Sequence, residues 1–346
     1  MTLFRPFTNR LRRLAGTAPE FWDLADDIWH MAEAETRAFP PAIFLPNQLD
    51  RITATIFGDD QETRDAFMNG GTREIGPTIA GRFRDVDLVD GVLYKGAAEH
   101  HLRARKKRLP LAGRPQRSMS GAIYDSWIGL RYFGNWLMDD TETYRLAETV
   151  GKPITTLAQS SGHRAAYESL LGMVPDRVAG DVHFDEVVLF RDLANNSGKM
   201  ARAADRRQRL SKGRNTTPKP GVFLLRGRTG DTRILENEAE LADRLYQRHG
   251  IVPLQALDHS ADEIMDACAG ARLLIGVEGS QLTHALAVMP AGGTALVIQP
   301  PDRVTAALKL MTDRLELYFA LVVGIGTVNG FRIDPDEVEA TIQRLP

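Results

Sequence analysis

The stretch LLIGVEGSQLTHALAVMPAGGTALVIQP, residues 273–300, places a polar segment between two apolar runs of strand length. The first run stops at Gly276, and a short helical pattern over 281–289 precedes the second run at 294–300. Continuous apolar runs joined through a helix are typical of parallel strands that are buried on both faces. The stretch therefore predicts a parallel sheet in which a polar turn follows the carboxyl end of one strand.

The same alternation continues through the second half of the chain. Apolar runs predict strands at 221–227, 251–257, 271–277, 294–300 and 317–324. Helical patterns cover 237–250, 260–270, 281–289, 302–314 and the residues after Pro335. Two of these helices begin with capping-box spacing, Asn237 with Glu240 and Ser260 with Glu263. We expect a Rossmann-like domain over 221–346, which binds its ligand beyond the carboxyl ends of its strands.

The first half is predicted as a second α/β domain. Strand patterns occupy 84–96 and 184–192, and helical patterns occupy 136–151 and 163–173. A highly charged segment that changes to Asn, Thr, Pro and Gly, 199–221, indicates a helix running into a linker. We therefore expect three parts: a helical or variable segment over 1–80, an α/β domain on the acceptor side over 81–215, and the Rossmann-like domain over 221–346.

Composition excludes several classes of protein. A length of 346 residues suits two domains, and a formal net charge of −2 gives no reason to expect nucleic acid as a partner. One cysteine, Cys268, excludes an internal disulfide and suits a reducing cytoplasm. No apolar run reaches the roughly 18 residues of a membrane span. The basic start MTLFRPFTNRLRR is either a solvated helix or a peripheral contact with the inner face of a membrane.

Two further runs, 102–117 and 199–219, are rich in Lys and Arg. Such runs are either solvated loops or the binding surface of a polyanion-binding protein. Neither run contains an aromatic residue, which argues against a stacking platform for single-stranded nucleic acid.

The polar turn is the first candidate site. Passing from Gly276 through Gly279 into a helix brings backbone N–H groups toward a ligand above the sheet, as in phosphate sites. Ser280, Gln281 and Thr283 add hydrogen-bonding side chains at the helix start. The alternative is an ordinary strand-to-helix turn in which glycine only allows tightness.

Arginines follow the strand at 221–227 and form the second candidate site. In LLRGRTGDTR, Arg226, Arg228 and Arg233 lie where a diphosphate needs charge-assisted contacts. The alternative is that these arginines are solvated and pair with Asp231 or Glu236.

Motifs for other chemistries are missing from the sequence. The histidines are scattered, no H-E-x-x-H or D-x-D spacing occurs, and no Walker loop, G-x-S-x-G elbow or G-x-G-x-x-G fingerprint is present. We expect neither a metal nor a cofactor. Asp139 and Asp140 follow YFGNW on a helical pattern, where each is either a general base or a structural partner.

Three segments resemble glycosyltransferase family 61, the DUF563 group of the capsular polysaccharide biosynthesis type. They are YFGNWLMDD at 132–140, RILENEAEL at 233–241 and GVEGSQLTHALAVMPAGGTALVIQ at 276–299, and the resemblance covers about residues 80–330. It implies a GT-B fold, with two Rossmann-like domains facing a cleft. It also implies metal-independent, inverting transfer of a sugar from a nucleotide-sugar, typically UDP-linked, to an acceptor hydroxyl in polysaccharide or surface-glycan biosynthesis.

The resemblance also assigns residues. Arg226 and Arg228 would face the diphosphate or the acceptor side and count among the donor-binding residues, and Asn135 and Trp136 would lie on the acceptor side. The donor-contacting turn would comprise Gly279, Ser280, Gln281, Leu282 and Thr283.

The chain departs from the family pattern at two positions where the family has histidine. Glu278 replaces the histidine of the GxHG turn, and Asn135 replaces the histidine of the YxHW element. The candidate bases are Glu278, Asp139 and Asp140. The alternative to an active transferase is a catalytically silent homologue that binds a nucleotide-sugar.

Overall fold

The computed structural model describes residues 9, 11–12, 14–106, 115–227 and 230–346. Strands and helices alternate along most of this part, so the predicted α/β class is confirmed. The described residues form two compact units: unit 1 comprises Met1–Ala34 and Gly76–Arg202, and unit 2 comprises Glu35–Ile75 and Ala203–Pro346. None of the described helices is long and apolar enough to cross a bilayer.

The strands in chain order are β1 (Asp27–Ala32), β2 (Glu35–Phe39), β3 (Gly71–Ile75), β4 (Thr78–Val89), β5 (Val92–Lys95), β6 (Ala98–His101), β7 (Ser118–Ile123), β8 (Pro153–Thr155), β9 (Asp176–Arg177), β10 (Val182–Arg191), β11 (Lys219–Leu225), β12 (Ile251–Gln255), β13 (Ala271–Val277), β14 (Thr294–Gln299), β15 (Tyr318–Val323), β16 (Ile325–Thr327) and β17 (Gly330–Arg332). The α-helices are α1 (Asp60–Met68), α2 (Trp127–Arg131), α3 (Phe133–Asn135), α4 (Thr141–Val150), α5 (Gly162–Leu171), α6 (Ser197–Ser211), α7 (Glu238–His249), α8 (Ala261–Cys268), α9 (Leu282–Leu286), α10 (Ala307–Arg314) and α11 (Pro335–Ile342). Short 3-10 helices cover Phe21–Leu24, Leu49–Arg51 and Ala256–Asp258, and a π-helical turn covers Trp136–Asp140.

Unit 1 is built on a mixed sheet with the strand order β6-β5-β4-β10-β7-β8-β9, and β1 pairs with β4. The strands β10, β7, β8 and β9 run parallel to one another, whereas β4 pairs antiparallel with β10. Fully buried Phe83, Ile154 and Phe184 belong to the hydrophobic cluster that packs on this sheet. The carboxyl ends of β10, β7 and β8 therefore lie at one edge, where Asp192, Asp125 and Thr156 follow them.

Unit 2 is built on a parallel sheet with the strand order β12-β11-β13-β14-β15. All five strands lie within the predicted runs or differ from them by two residues at most, because continuous apolar runs bounded by turn residues leave little freedom in placing a buried strand. The strand that follows β11 in sequence, β12, lies at one edge of the sheet, whereas the strand that follows β13, β14, lies toward the opposite edge. Such a reversal of strand order opens a crevice beyond the carboxyl ends, where doubly wound sheets bind ligands.

The two predicted capping boxes have different outcomes. At the start of α8, Ser260 Oγ accepts from the Glu263 N–H and Glu263 Oε2 accepts from the Ser260 N–H, so this capping box is confirmed. At the start of α7 the prediction is wrong. Asn237 makes no side-chain cap, because its amide hydrogen-bonds the backbone of Ile333.

The segment between β2 and β3 packs in unit 2. Ile43 forms a parallel bridge with Ala320 of β15, which continues the sheet. Both Nη atoms of Arg51 donate to the carboxylate of Glu337 on α11, Nη1 at 2.7 Å and Nη2 at 2.5 Å. Residues 35–75 thus share a unit with the carboxyl-terminal sheet, while the division into 1–80, 81–215 and 221–346 stays a prediction.

Candidate functional site

The turn after β13 presents unused backbone donors. Glu278 still pairs with the sheet through its N–H, which donates to the carbonyl of Ile298 at 2.8 Å. The chain then turns into the short helix α9. The N–H groups of Gly279, Ser280 and Gln281 have no hydrogen-bond partner among the residues that the structure describes. Three adjacent donors at a strand-to-helix turn match the arrangement that holds an anion.

Glycine is required at position 279 for two reasons. Its φ of +156° lies in a region that residues with a side chain rarely adopt. A Cβ atom there would lie 2.1 Å from Arg226 Nη1 and 2.4 Å from Gln281 Oε1. The glycine therefore lets a guanidinium group approach the backbone of the turn.

Three arginines from two further loops converge on this turn, and we call Arg226, Arg233 and Arg303 the arginine cluster. Arg226 Nη1 donates to the Glu278 carbonyl at 3.3 Å and to Gln281 Oε1 at 3.1 Å. Arg233 Nη1 donates to the same carbonyl at 2.8 Å. Arg226 follows β11 and Arg303 follows β14, so the carboxyl edge of the sheet brings together residues that are far apart in sequence.

The Glu278 side chain is the counter-ion of the arginine cluster. Its Oε2 lies 3.1 Å from Arg233 Nε and 3.1 Å from Arg303 Nη1. A second carboxylate, Asp231, lies 3.2 Å from Arg303 Nη2 and is half exposed. A third carboxylate, Glu238, accepts from the N–H groups of Arg226 and Gly227 and also acts on the Arg226 charge, so three guanidinium groups face three carboxylates.

Burial makes the protonated form of the guanidinium groups at this turn less favourable. Burial, together with the neighbouring guanidinium groups of Arg226 and Arg303, lowers the pKa of Arg233 to about 10 against the opposing effect of Glu278. Burial also lowers the pKa of Arg226. Both groups remain protonated at neutral pH, and a poorly solvated cation cluster gains most from an anion that replaces the missing water.

The predicted donor residues have different positions. Gln281 Nε2 donates to the Val277 carbonyl at 2.6 Å and Thr283 Oγ1 donates to the Ser280 carbonyl at 2.6 Å, so both side chains shape the turn. Leu282 is fully buried. Ser280 is partly exposed.

The prediction for one arginine is untested, and another arginine of the site had no prediction. Arg228 lies outside the described residues. Arg303 was not singled out from the sequence, and its only signal is its position shortly after the strand at 294–300. The sequence offers Asp231 or Glu236 as alternative partners of the arginines, and in the structure Arg233 lies 3.9 Å from Asp231 and 3.1 Å from Glu278, which is on a different loop.

In unit 1 the predicted acceptor residues lie on the π-helical turn Trp136–Asp140 or directly before it. Asn135 Nδ2 donates to Asp139 Oδ2 at 3.1 Å, and the other Asp139 oxygen lies 3.1 Å from the ammonium of fully buried Lys199. Trp136 is also fully buried, and the Arg164 guanidinium stacks over its ring at 5.2 Å. Asp139 keeps some contact with solvent, at 17% side-chain exposure.

Asp140 faces the interior of unit 1. Ser126 Oγ donates to its Oδ1 at 2.6 Å, and Asp140 Oδ2 has no hydrogen-bond partner in the described part of the chain. A Cβ on Gly129 would lie 2.0 Å from this carboxyl group, so glycine makes room for it. Burial, reinforced by the negative charge of Asp125, raises the pKa of Asp140 well above its ordinary value. The sequence carried no signal for Asp125, which lies just beyond β7 and takes three hydrogen bonds from Thr155 and Thr156.

We expect Asp140→Asn to change the pH dependence of stability. Between the ordinary pKa of an aspartate and the raised value, the folded protein binds more protons than the unfolded chain, so the wild type loses stability as pH rises. Asparagine cannot titrate, and the variant should gain on the wild type by about 1.4 kcal/mol for each unit of pKa shift. Urea unfolding of both proteins from pH 5 to pH 8 measures this, and parallel profiles would show that Asp140 is ionised in the fold.

The described parts of the two basic runs, and the described side chains that could bind a metal, add no further candidate site. Residues 107–114 of the first run lie outside the described residues, as do Arg5, Arg10 and Arg13. In the second run Lys199 and Arg206 are buried and Arg214 pairs with Asp262 and Asp266. In the described part, no group of three or more His, Cys, Asp or Glu side chains is placed to hold a metal ion.

Comparison with known proteins assigns a family. The model of the family Glycosyltransferase 61 matches residues 36–297. No curated protein matches the sequence. One solved structure with some similarity is the metal-soaked Flv1 flavodiiron core from Synechocystis sp. PCC6803, at a TM-score of 0.26 and 11% identity over 51% of this chain and 44% of that chain. This chain spans less than half of that structure's length, and a TM-score this low does not establish a shared fold. The family match covers most of the sequence, including the resembling segments at 132–140 and 233–241 and nearly all of the one at 276–299, and the chain therefore belongs to glycosyltransferase family 61.

Proposed function

We propose that the protein transfers a sugar from a nucleotide diphosphate sugar, UDP-linked in the first instance, to an acceptor hydroxyl during polysaccharide or surface-glycan biosynthesis in the cytoplasm. The proposal includes inversion at the anomeric carbon, independence of metal ions and a GT-B fold. One observation carries it: the arginine cluster and three unused N–H groups meet at the crevice of the parallel sheet in unit 2.

This arrangement suits a leaving diphosphate. Negative charge builds up on the diphosphate as the glycosidic bond breaks, and donors fixed in advance stabilise it without reorganising. Arginine forks bind phosphate oxygens in pairs, and the adjacent N–H groups add short contacts from the backbone. In this proposal the guanidinium groups supply the positive charge that a divalent cation supplies in other transferases.

Glu278 is proposed as a positioning residue and not as the base. Its carboxylate is held by Arg233 and Arg303 at 3.1 Å each, and it keeps both guanidinium groups at the turn. Glu278 has two cationic partners and a side-chain exposure of 9%, whereas Asp139 has one cationic partner, Lys199, and a side-chain exposure of 17%. The carboxylate with fewer cationic partners and more exposure is the better candidate to accept a proton.

Asp139 is proposed as the general base. It is the more exposed of the two neighbouring aspartates, and its Oδ1 lies 3.1 Å from the ammonium of buried Lys199. We expect Asp139→Asn to lower kcat by a factor of about 10² to 10⁴, with little change in nucleotide affinity, and Asp140→Asn to stay within about tenfold of the wild type. Steady-state kinetics on both variants checks this, and an active Asp139→Asn protein would move the base elsewhere.

The second candidate function is a silent nucleotide-sugar-binding homologue. The position of Glu278 favours it, because the carboxylate occupies guanidinium contacts that a phosphate would use. Glu278→His separates the two: a gain of turnover in the variant supports a silent wild type, whereas a loss shows that Glu278 serves an active site.

The test of the proposed function is a thermal-shift screen. UDP, GDP, CMP and dTDP, each with its common sugar conjugates, would be added with EDTA or with Mg²⁺. A ligand at 100 times its Kd stabilises the folded state by about 2.7 kcal/mol. A rise in Tm with one nucleotide class, unchanged by EDTA, is the expected result. Absence of any shift at high ligand concentration would overturn the proposal.

A further inference from the structure

A cavity of about 380 Å³ opens in unit 2 between helices α1 and α10. Phe57 lies at its wall, and the α1 face that lines it carries Glu62 and Asp65, with Asn69 at the helix end. Small-molecule pockets range from about 300 to 1,000 Å³. The cavity is at the lower end of this range, so it suits one ring with its substituents and is too small for a whole nucleotide-sugar.

Phe57 is held in a conformation that its residue type avoids. Its φ is +63°, and a bulky residue in the left-handed region is a true outlier. Phe57 is nevertheless 54% exposed, so a ligand can approach it from solvent. Strained backbone conformations of this kind cluster at active sites and ligand-binding sites.

The ring is connected to the arginine cluster. The guanidinium carbon of Arg303 lies 6.0 Å from the centroid of the Phe57 ring. The same guanidinium binds Glu278 and Asp231. The Arg303 side chain can therefore reach both an anion bound at the arginine cluster and a ligand ring that lies on Phe57.

The polar lining of the cavity contains both hydrogen-bond donors and acceptors: Thr63 and Arg73, which pairs with Asp313 at 3.5 Å, lie beside Glu62, Asp65 and Asn69. Glu62 uses one carboxylate oxygen to cap α1 and Asp65 uses one for Gln61, and the second oxygen of each has no hydrogen-bond donor among the described residues. The Asn69 amide likewise makes no hydrogen bond in the described part of the chain. Carboxylates repel a phosphate and accept from hydroxyl groups. An exposed aromatic face beside several hydroxyl acceptors fits a saccharide ring.

We propose that this cavity is a saccharide subsite in which Phe57 contacts one face of the sugar ring and Glu62, Asp65 and Asn69 bind its hydroxyl groups. The inference rests on the proposed function, since the arginine cluster supplies the neighbouring diphosphate site. The saccharide is either the sugar of the donor or a sugar of the acceptor glycan, and binding experiments can distinguish the two.

The first variant is Phe57→Gly, because glycine removes the ring and relieves the backbone. We expect Tm to stay unchanged or to rise by a few degrees, while saccharide affinity falls about tenfold. A residue with a purely structural role would show the reverse, a lowered Tm. Asn69→Ala is the second variant, because its exposed amide supports no contact in the described part of the fold, and it should weaken the same ligands severalfold.

Calorimetric titrations would use UDP, UDP-glucose, UDP-N-acetylglucosamine and UDP-xylose, together with the methyl glycosides of the three sugars. Weaker binding of a UDP-sugar with unchanged UDP binding assigns the donor sugar, whereas weaker binding of a methyl glycoside alone assigns the acceptor. Tyr246→Ala is the matched control, since Tyr246 is a similarly exposed aromatic residue of the same unit, on α7.

The two hypotheses fail in different ways. If UDP binds the wild type and no saccharide affinity depends on Phe57 or Asn69, the subsite is wrong and the diphosphate site stands. If UDP does not bind while a glycoside binds in a Phe57-dependent manner, the subsite stands and the proposed donor is wrong. Absence of measurable sugar recognition by the wild type overturns the subsite.

Discussion

Arg226→Met should lower kcat/KM for the sugar donor by a factor of about 10² to 10³, which is the usual loss when one preorganised donor to a developing negative charge is removed. Arg226 is the member of the arginine cluster that joins both loops of the crevice, through Gln281 Oε1 at 3.1 Å and the Asp231 carbonyl at 2.5 Å. Methionine keeps much of the apolar stem and removes the charge. Donor kinetics and nucleotide affinity of the purified variant measure the effect.

Two further variants make this result specific. Arg226→Lys keeps the charge and loses the fork, so an intermediate loss is expected if paired contacts to phosphate matter. Arg248→Met removes an arginine that is 59% exposed at the end of α7, and its kinetics should match the wild type. Equal losses in Arg226→Met and Arg248→Met would mean that overall charge, and not the crevice, controls donor use.

Gly279→Ala should abolish most donor binding and lower the free energy of unfolding by about 1–3 kcal/mol. The new Cβ would meet Arg226 Nη1 at 2.1 Å and Arg233 Nη1 at 3.0 Å, and it would require a φ of +156° from alanine. The arginine side chains must move away from the turn, so we expect nucleotide affinity to fall by at least tenfold. Calorimetry and urea unfolding measure the two effects.

Gly292→Ala separates strain from the clash. Gly292 also has a positive φ, +78°, but no atom lies within 4 Å of the point that a Cβ on this residue would occupy. This variant should lose about 1 kcal/mol of stability and keep the wild-type nucleotide affinity. A Gly279→Ala protein with unchanged affinity would show that the arginine positions at the turn are not needed for the donor.

The strands of unit 2 were predictable because each is a continuous apolar run between turn residues, and the order of buried runs along the chain restricts a parallel sheet to few arrangements. The capping box at Ser260 was predictable for a similar reason, since all its partners lie within one turn. Asn237 has the same local pattern and a different structure, because the backbone of Ile333 competes for its amide. Local rules fail where a distant partner offers better hydrogen bonds.

The candidate site was partly predictable. The sequence placed Arg226 and Gly279 at the same edge of the sheet, because both follow strands of one parallel set. It carried no signal that Arg303 and Arg233 would bind Glu278, or that residues 35–75 would pack in unit 2 and place Phe57 next to Arg303. These relations depend on long-range packing, which spacing along the chain does not encode.

Both residues that depart from the family pattern have polar partners in the structure. Asn135 hydrogen-bonds Asp139, and Glu278 balances two guanidinium groups. Each polar replacement therefore has a partner, and neither leaves a buried charge unpaired.

The affinity of UDP compared with that of uridine tests the central claim most directly, because the two ligands differ only in the diphosphate. Calorimetric titrations in EDTA would be made on the wild type and on Arg226→Met. We predict that UDP binds the wild type at least 100-fold more tightly than uridine, a difference of about 2.7 kcal/mol, and that most of this difference disappears in Arg226→Met. Equal affinities for the two ligands, or a difference that survives the loss of Arg226, would contradict a diphosphate site at the arginine cluster.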